Sequence, residues 1–207
     1  GVPAIDQADY PRATAYFQAC VALNRELGDA VGVQAAVHSL GLLAVEQGDY
    51  AGAQACFEES LAVCRELGHS WGVANRLNSL GTLAQSQRQH DRALGYLEEA
   101  LAVARPLGND QLTAMILGNL ADVALSQGDL ARAQATYRSA LAQYRALGDP
   151  RSAGLAHQGL GALALVIAGH GPAMADDPVK IGFINKFPVL FFATMENAAT
   201  LYTNALP

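Results

Sequence analysis

The chain has no lysine before Lys180, and its 13 basic residues are outnumbered by 19 acidic ones, giving a formal net charge of −6. A nucleic-acid-binding surface needs a basic face, so this balance argues against direct contact with nucleic acid. Cysteine is scarce and odd in number, three in all, which excludes a disulfide framework. Cys56 and Cys64 fall eight apart on one expected helix, about 12 Å along its axis, too far to bond each other. We read them as reduced, structural thiols of a cytoplasmic protein. No apolar run approaches the roughly 18 residues that a membrane span requires; the longest, Ala162 to Ala168, is far shorter. Histidines are scattered at 38, 69, 90, 157 and 170 without paired metal-ligand spacing. No glycine-rich loop joins a strand to a helix, so nothing cradles a phosphate. These absences leave no metal site, no cofactor and no nominated catalytic set, and we expect no enzyme.

What is present is self-similarity at a step of forty residues. Leu-Gly stands at Leu40-Gly41, Leu80-Gly81 and Leu160-Gly161, with Leu120-Ala121 as the remaining copy, and again at Leu27-Gly28, Leu67-Gly68, Leu107-Gly108 and Leu147-Gly148. Laid out in rows of forty, Ala13, Ala53, Ala93 and Ala133 form a small column, Phe17, Phe57, Leu97 and Tyr137 a bulky one, and Arg25, Arg65, Arg105 and Arg145 a charged one. A fixed period of this size marks one supersecondary unit stacked in one dimension.

Each row reads as two helices. Gln47-Gly48-Asp49-Tyr50 is a stop followed by a start: glycine takes the left-handed conformation after a helix end, and the aspartate caps the next helix. Arg88-Gln89 is the degenerate copy of this turn. Leu27-Gly28-Asp29 and Leu147-Gly148-Asp149 form the second turn, with Pro150 suited to a first helical position. The pattern predicts helices near 10–27, 30–47, 50–67, 70–87, 90–107, 110–127, 130–147 and 150–167. Pro106 removes an amide from the last turn of its helix and predicts a local distortion there. Glu58-Glu59 and Glu98-Glu99 fall on second helices, as solvated outer faces.

These columns resemble the tetratricopeptide repeat, whose first helix carries Leu-Gly and a small residue three later, and whose second carries Ala, a bulky residue and another small one. Leu40, Gly41, Ala44, Ala53, Phe57 and Ser60 supply that set, as do Leu80, Gly81, Ala84, Ala93, Leu97 and Ala100. The usual repeat is about 34 residues, and the forty-residue form with Leu-Gly-Asp turns resembles arrays in large bacterial signal-transduction and transcriptional regulators. The resemblance implies an all-α fold, a right-handed α-solenoid of antiparallel helix pairs, over residues 1–168. It also implies a scaffold that binds a peptide or partner protein in a concave groove lined by first helices, the sensor part of a larger protein. Carried over by position, the groove residues are Asn75, Asn78, Thr82, Gln85, Ser86, Met115 and Asp122, with Ala35, His38, Val45 and Glu46 in the preceding row. Family members that hold a chaperone's terminal carboxylate use lysine and arginine in this groove. The array lacks lysine, and Arg76 does not occupy a groove column, so we do not expect that mode. Gly1 is in register with Gly41, as though the array continued upstream; an uncovered apolar end there would let two copies pair as a homodimer.

The register ends after Ala164. Residues 161–175, "GALALVIAGHGPAMA", have the apolar core and Ala-Met-Ala ending of a secretory signal. In this position we read them instead as a further first helix followed by a linker over 169–178. Residues 179–207 read as a short strand–helix tail. The tail resembles the start of periplasmic sugar-binding proteins, in which an aromatic pair packs against the sugar; Phe191 and Phe192 match that pair. The alternative reading is therefore an array joined to the start of a sugar receptor, with no complete ligand site.

Overall fold

The computed structural model describes residues 10–169. The expected strand–helix tail, with Phe191 and Phe192, lies outside those residues. Eight α-helices follow in order: α1 Tyr10–Glu26, α2 Ala30–Glu46, α3 Tyr50–Glu66, α4 Ser70–Ser86, α5 His90–Ala104, α6 Asp110–Ser126, α7 Leu130–Ala146 and α8 Pro150–Gly169, and no strand occurs among the described residues. They fall into two compact units, one ending at Asn109 and the other beginning at Asp110. The periodicity placed every start at the observed residue, because each is punctuated by the same turn chemistry. The expected distortion at Pro106 is present: α5 stops at Ala104 and the chain tightens into a 3-10 turn over Arg105–Leu107.

The turns work as their residues dictate. Gly28, Gly48, Gly68, Gly108, Gly128 and Gly148 all have φ between 62° and 80°, the left-handed region that only glycine enters without steric cost. Asp29, Asp49, Asp129 and Asp149 then accept from the backbone amide three residues on, at 2.9–3.1 Å. His69 and Gln89 stand in the equivalent places and make no such cap. Arg88, where the other rows have glycine, is forced to φ 60°.

In the first unit the second helix of each pair is held by close approach to its partner. A Cβ built on Gly41 would lie 2.5 Å from Phe57 Cε1, and one on Gly81 2.6 Å from Leu97 Cγ. The Leu-Gly column thus removes the side chain where the bulky column needs room. Val21, Val33, Ala36 and Val37 form a buried cluster between α1 and α2, with Cys20, Leu40 and Cys56 packed against it. On the outer face, Arg25–Glu59 and Arg65–Glu99 repeat one ion pair at a step of forty, each 2.7 Å long and about half exposed. At such exposure each contributes roughly 0–1 kcal/mol, and less at high salt. In the second unit α6 packs on α7 and α7 on α8, around Ile116, Val123, Ala133, Ala140 and Leu163.

Two substitutions test this account by chemical denaturation. Arg88→Gly relieves a left-handed non-glycine residue and is expected to stabilise the fold by about 1 kcal/mol. Gly41→Ala drives a methyl into a fixed ring; overpacking outweighs the gain in helix propensity, for a net loss of about 1–2 kcal/mol.

Candidate functional site

The groove columns of the first unit fall on α2 and α4. Two rungs join these helices: His38 Nε2 lies 3.0 Å from Ser79 Oγ, and Arg76 Nη2 donates to Gln34 Oε1 at 2.6 Å. Beside the first rung run the half-buried Asn75, Ser79, Thr82 and Gln85 of α4, with Ser86 exposed at its end. From α2 come the exposed Ala35 and Leu42 and the half-buried His38, Ser39 and Val45. Asn75, Thr82, Gln85 and Ser86 all lie on α4, as does Asn78, which is buried at 7% exposure. Met115 and Asp122 lie on α6 in the second unit, half-buried and exposed respectively. There the Asp122 carboxylate accepts the Tyr137 hydroxyl. Desolvation raises the Asp122 carboxyl above its ordinary range against the pull of that hydrogen bond, and the same pairing, after burial, raises the Tyr137 phenol.

The polar character of the α2/α4 face is one-sided. Ser39 donates to Ala35 O, Ser79 to Asn75 O, Thr82 to Ser79 O and Ser86 to Leu83 O. The Ser39, Thr82 and Ser86 hydroxyls spend their only hydrogens on their own helix, leaving lone pairs outward. The Ser79 hydroxyl is shared between Asn75 O and His38 Nε2, and the His38 tautomer sets which of the two ring nitrogens carries the hydrogen. The His38 pKa is lowered to about 4, by burial first and by the Arg76 charge second, and its ring rests against Phe57 with centroids 5.3 Å apart.

Sequence reasoning passed over the group beneath this face. Arg76 is 4% exposed and has no carboxylate partner among the described residues. Its Nε donates to Ser60 Oγ at 2.9 Å, its Nη1 to Asn75 Oδ1 at 2.6 Å and its Nη2 to Gln34 Oε1. Ser60 donates in turn to Gln34 O at 2.7 Å, and Cys64 Sγ lies 3.3 Å from Gln34 Oε1. Burial lowers the guanidinium's pKa, although an arginine remains charged. Burial raises the Cys64 thiol against the opposing influence of Arg76 and Ser60, and Cys56 is raised as well, so both stay protonated. The signal for this group was in the rows. Arg76 stands in a column with Ala36, Ile116 and Ala156, Gln34 with Ala74, Ala114 and Gly154, and Ser60 with Ala100 and Ala140. Three polar residues at small or apolar columns, in adjacent rows, meet in one place.

The His38 shift has a sign. Unfolded, the ring accepts a proton near 6.5; folded, only near 4. The stabilisation from keeping it neutral is complete above pH 6.5 and is lost as pH falls through that window. His38→Gln is expected to flatten the acid limb of a urea-midpoint-versus-pH curve between 6.5 and 4, relative to wild type.

Among the described residues no group of His, Cys, Asp and Glu side chains could hold a metal ion, and no helix is long and apolar enough to cross a membrane. Solved structures similar to this chain include BtubC (BKLC) from P. vanneervenii, at 21% identity and TM-score 0.70 over 97% of this chain and 76% of that one. A second is a putative kinesin light chain with nearly identical TPR-like repeats from Podosopora anserina, at 14% identity and TM-score 0.64 over 95% and 90% of the two chains. At these identities they establish the fold alone. No curated protein matches the chain. The tetratricopeptide repeat model matches residues 32–105 and 72–146. With the turn chemistry, the small and bulky columns and the paired helices already in place, the chain belongs to the tetratricopeptide repeat family.

Proposed function

We propose that the first unit is a protein-binding module that receives an extended segment or helix of a partner protein on the face shared by α2 and α4. The observation that supports this most is the character of that face. It carries an exposed Leu42, half-buried polar side chains and hydroxyls presenting acceptors, with no titratable pair arranged for chemistry. Tetratricopeptide repeats are in general protein-protein interaction modules, and such faces suit peptides in extended or helical form. The pathway we favour is regulatory: the array as the sensing part of a larger bacterial cytoplasmic protein, with the partner's engagement as the signal.

Affinity at such a surface rests on a few central contacts, so disrupting them removes binding without unfolding the helices. The test is a pull-down with the chain as bait, followed by titration of the captured partner. Leu42→Glu combined with Thr82→Arg is expected to weaken that partner at least roughly tenfold, a loss of about 1.4 kcal/mol or more, with unchanged far-UV circular dichroism. Undiminished affinity of the double variant would move the binding surface off this face.

A further inference from the structure

A guanidinium carries five donors and no acceptor. Any amide that meets Arg76 must therefore present its oxygen, and this settles the orientation of both amides around it. Gln34 faces it through Oε1 and Asn75 through Oδ1, each at 2.6 Å. The consequence for Asn75 is directional: with Oδ1 held inward, both Nδ2 hydrogens are left on the open side of a half-buried residue, and no acceptor among the described residues takes them. Asn75 stands on a face where Thr82 and Ser86 have turned their hydroxyl hydrogens back to their own helix. Gln85 carries an amide on the same helix, but among the described residues no side-chain hydrogen bond orients it.

We propose that Arg76 is a positioning residue for partner recognition: it fixes Asn75 as a donor, so that its amide reads a carbonyl of an extended partner main chain. This rests on the reading of the α2/α4 face as a peptide site. The buried charge is costly as a stabilising device, since a well-packed apolar replacement of a buried ionic group is often neutral or better. The array itself supplies such replacements, with alanine at the Gln34 column and isoleucine at the Arg76 column. What those residues cannot do is orient an amide.

The experiment uses N-methylacetamide, a single peptide unit, as the probe and the full chain in solution, read by the side-chain amide signals of Asn75 and Gln85 and the backbone amide signals of α2 and α4 in NMR spectra. In the wild type, the Asn75 Nδ2 signals are expected to shift on titration more than those of Gln85. The Gln34→Ala/Arg76→Ile variant is expected to melt at the same or a higher temperature and to lose the Asn75 response by roughly threefold or more, the worth of one hydrogen bond of about 0.7 kcal/mol. Arg76→Lys keeps a charge without the fork and serves as a second variant should the first not fold; it is expected to lose the response in the same direction. An Asn75 response equal in wild type and both variants would overturn the positioning role while leaving the face as a peptide site. No probe-induced shift anywhere on α2 and α4 of the wild type would overturn the peptide-site reading as well.

Discussion

The constraint on which the array depends is the absence of a side chain at Gly41 and Gly81. Phe57 and Leu97 occupy the space that a Cβ would take, so the two helices of each pair come close enough to bury these side chains almost completely. The glycine costs helix propensity of about 1 kcal/mol, and burial of one large apolar side chain, at about 1.5–3 kcal/mol, more than offsets it. The alanine columns extend the same close approach: Ala53, Ala93 and Ala133 are fully buried. The rest of the repeat serves this contact. The turns deliver each helix at the right height, and the outer ion pairs stitch successive second helices with little net energy.

Against that apolar regularity, the Gln34–Ser60–Cys64–Arg76 group is an exception. It lies in one unit, between α2, α3 and α4, and satisfies a buried cation with neutral oxygens instead of a carboxylate. Hydrogen bonds to a charged group are worth about 1.5–3 kcal/mol each, while burying an ion costs several; the arrangement is thus near balance rather than strongly stabilising. Its effect is on orientation. Removing freedom from Asn75 gives the overlying face a defined polarity, and the neighbouring charge contributes to keeping His38 neutral.

Much of this was legible in the sequence because its signals are local. A glycine that must take positive φ, an aspartate that caps three residues on, and a proline that ends a helix act within a few residues of themselves. The repeat states each of these signals several times. Asn75, Thr82 and Gln85 are half-buried on α4, whereas Asn78, which shares their helical spacing, is buried; spacing places residues around a helix, but burial depends on what packs against it. Arg76 was set aside because it missed a groove column, and its hydrogen bonds to Asn75, Gln34 and Ser60 follow from packing that the column position does not show.

The sequence by itself determined the all-helical repeat, its family and the start of every helix, since turn chemistry and hydrophobic period need no knowledge of distant contacts. Only the tertiary structure decided that Gln34, Ser60 and Arg76, separated by up to 42 residues, converge, and which way the amides of Gln34 and Asn75 face. The physical reason is that hydrogen-bond direction depends on which donor lies opposite. That donor arrives only when successive helix pairs pack.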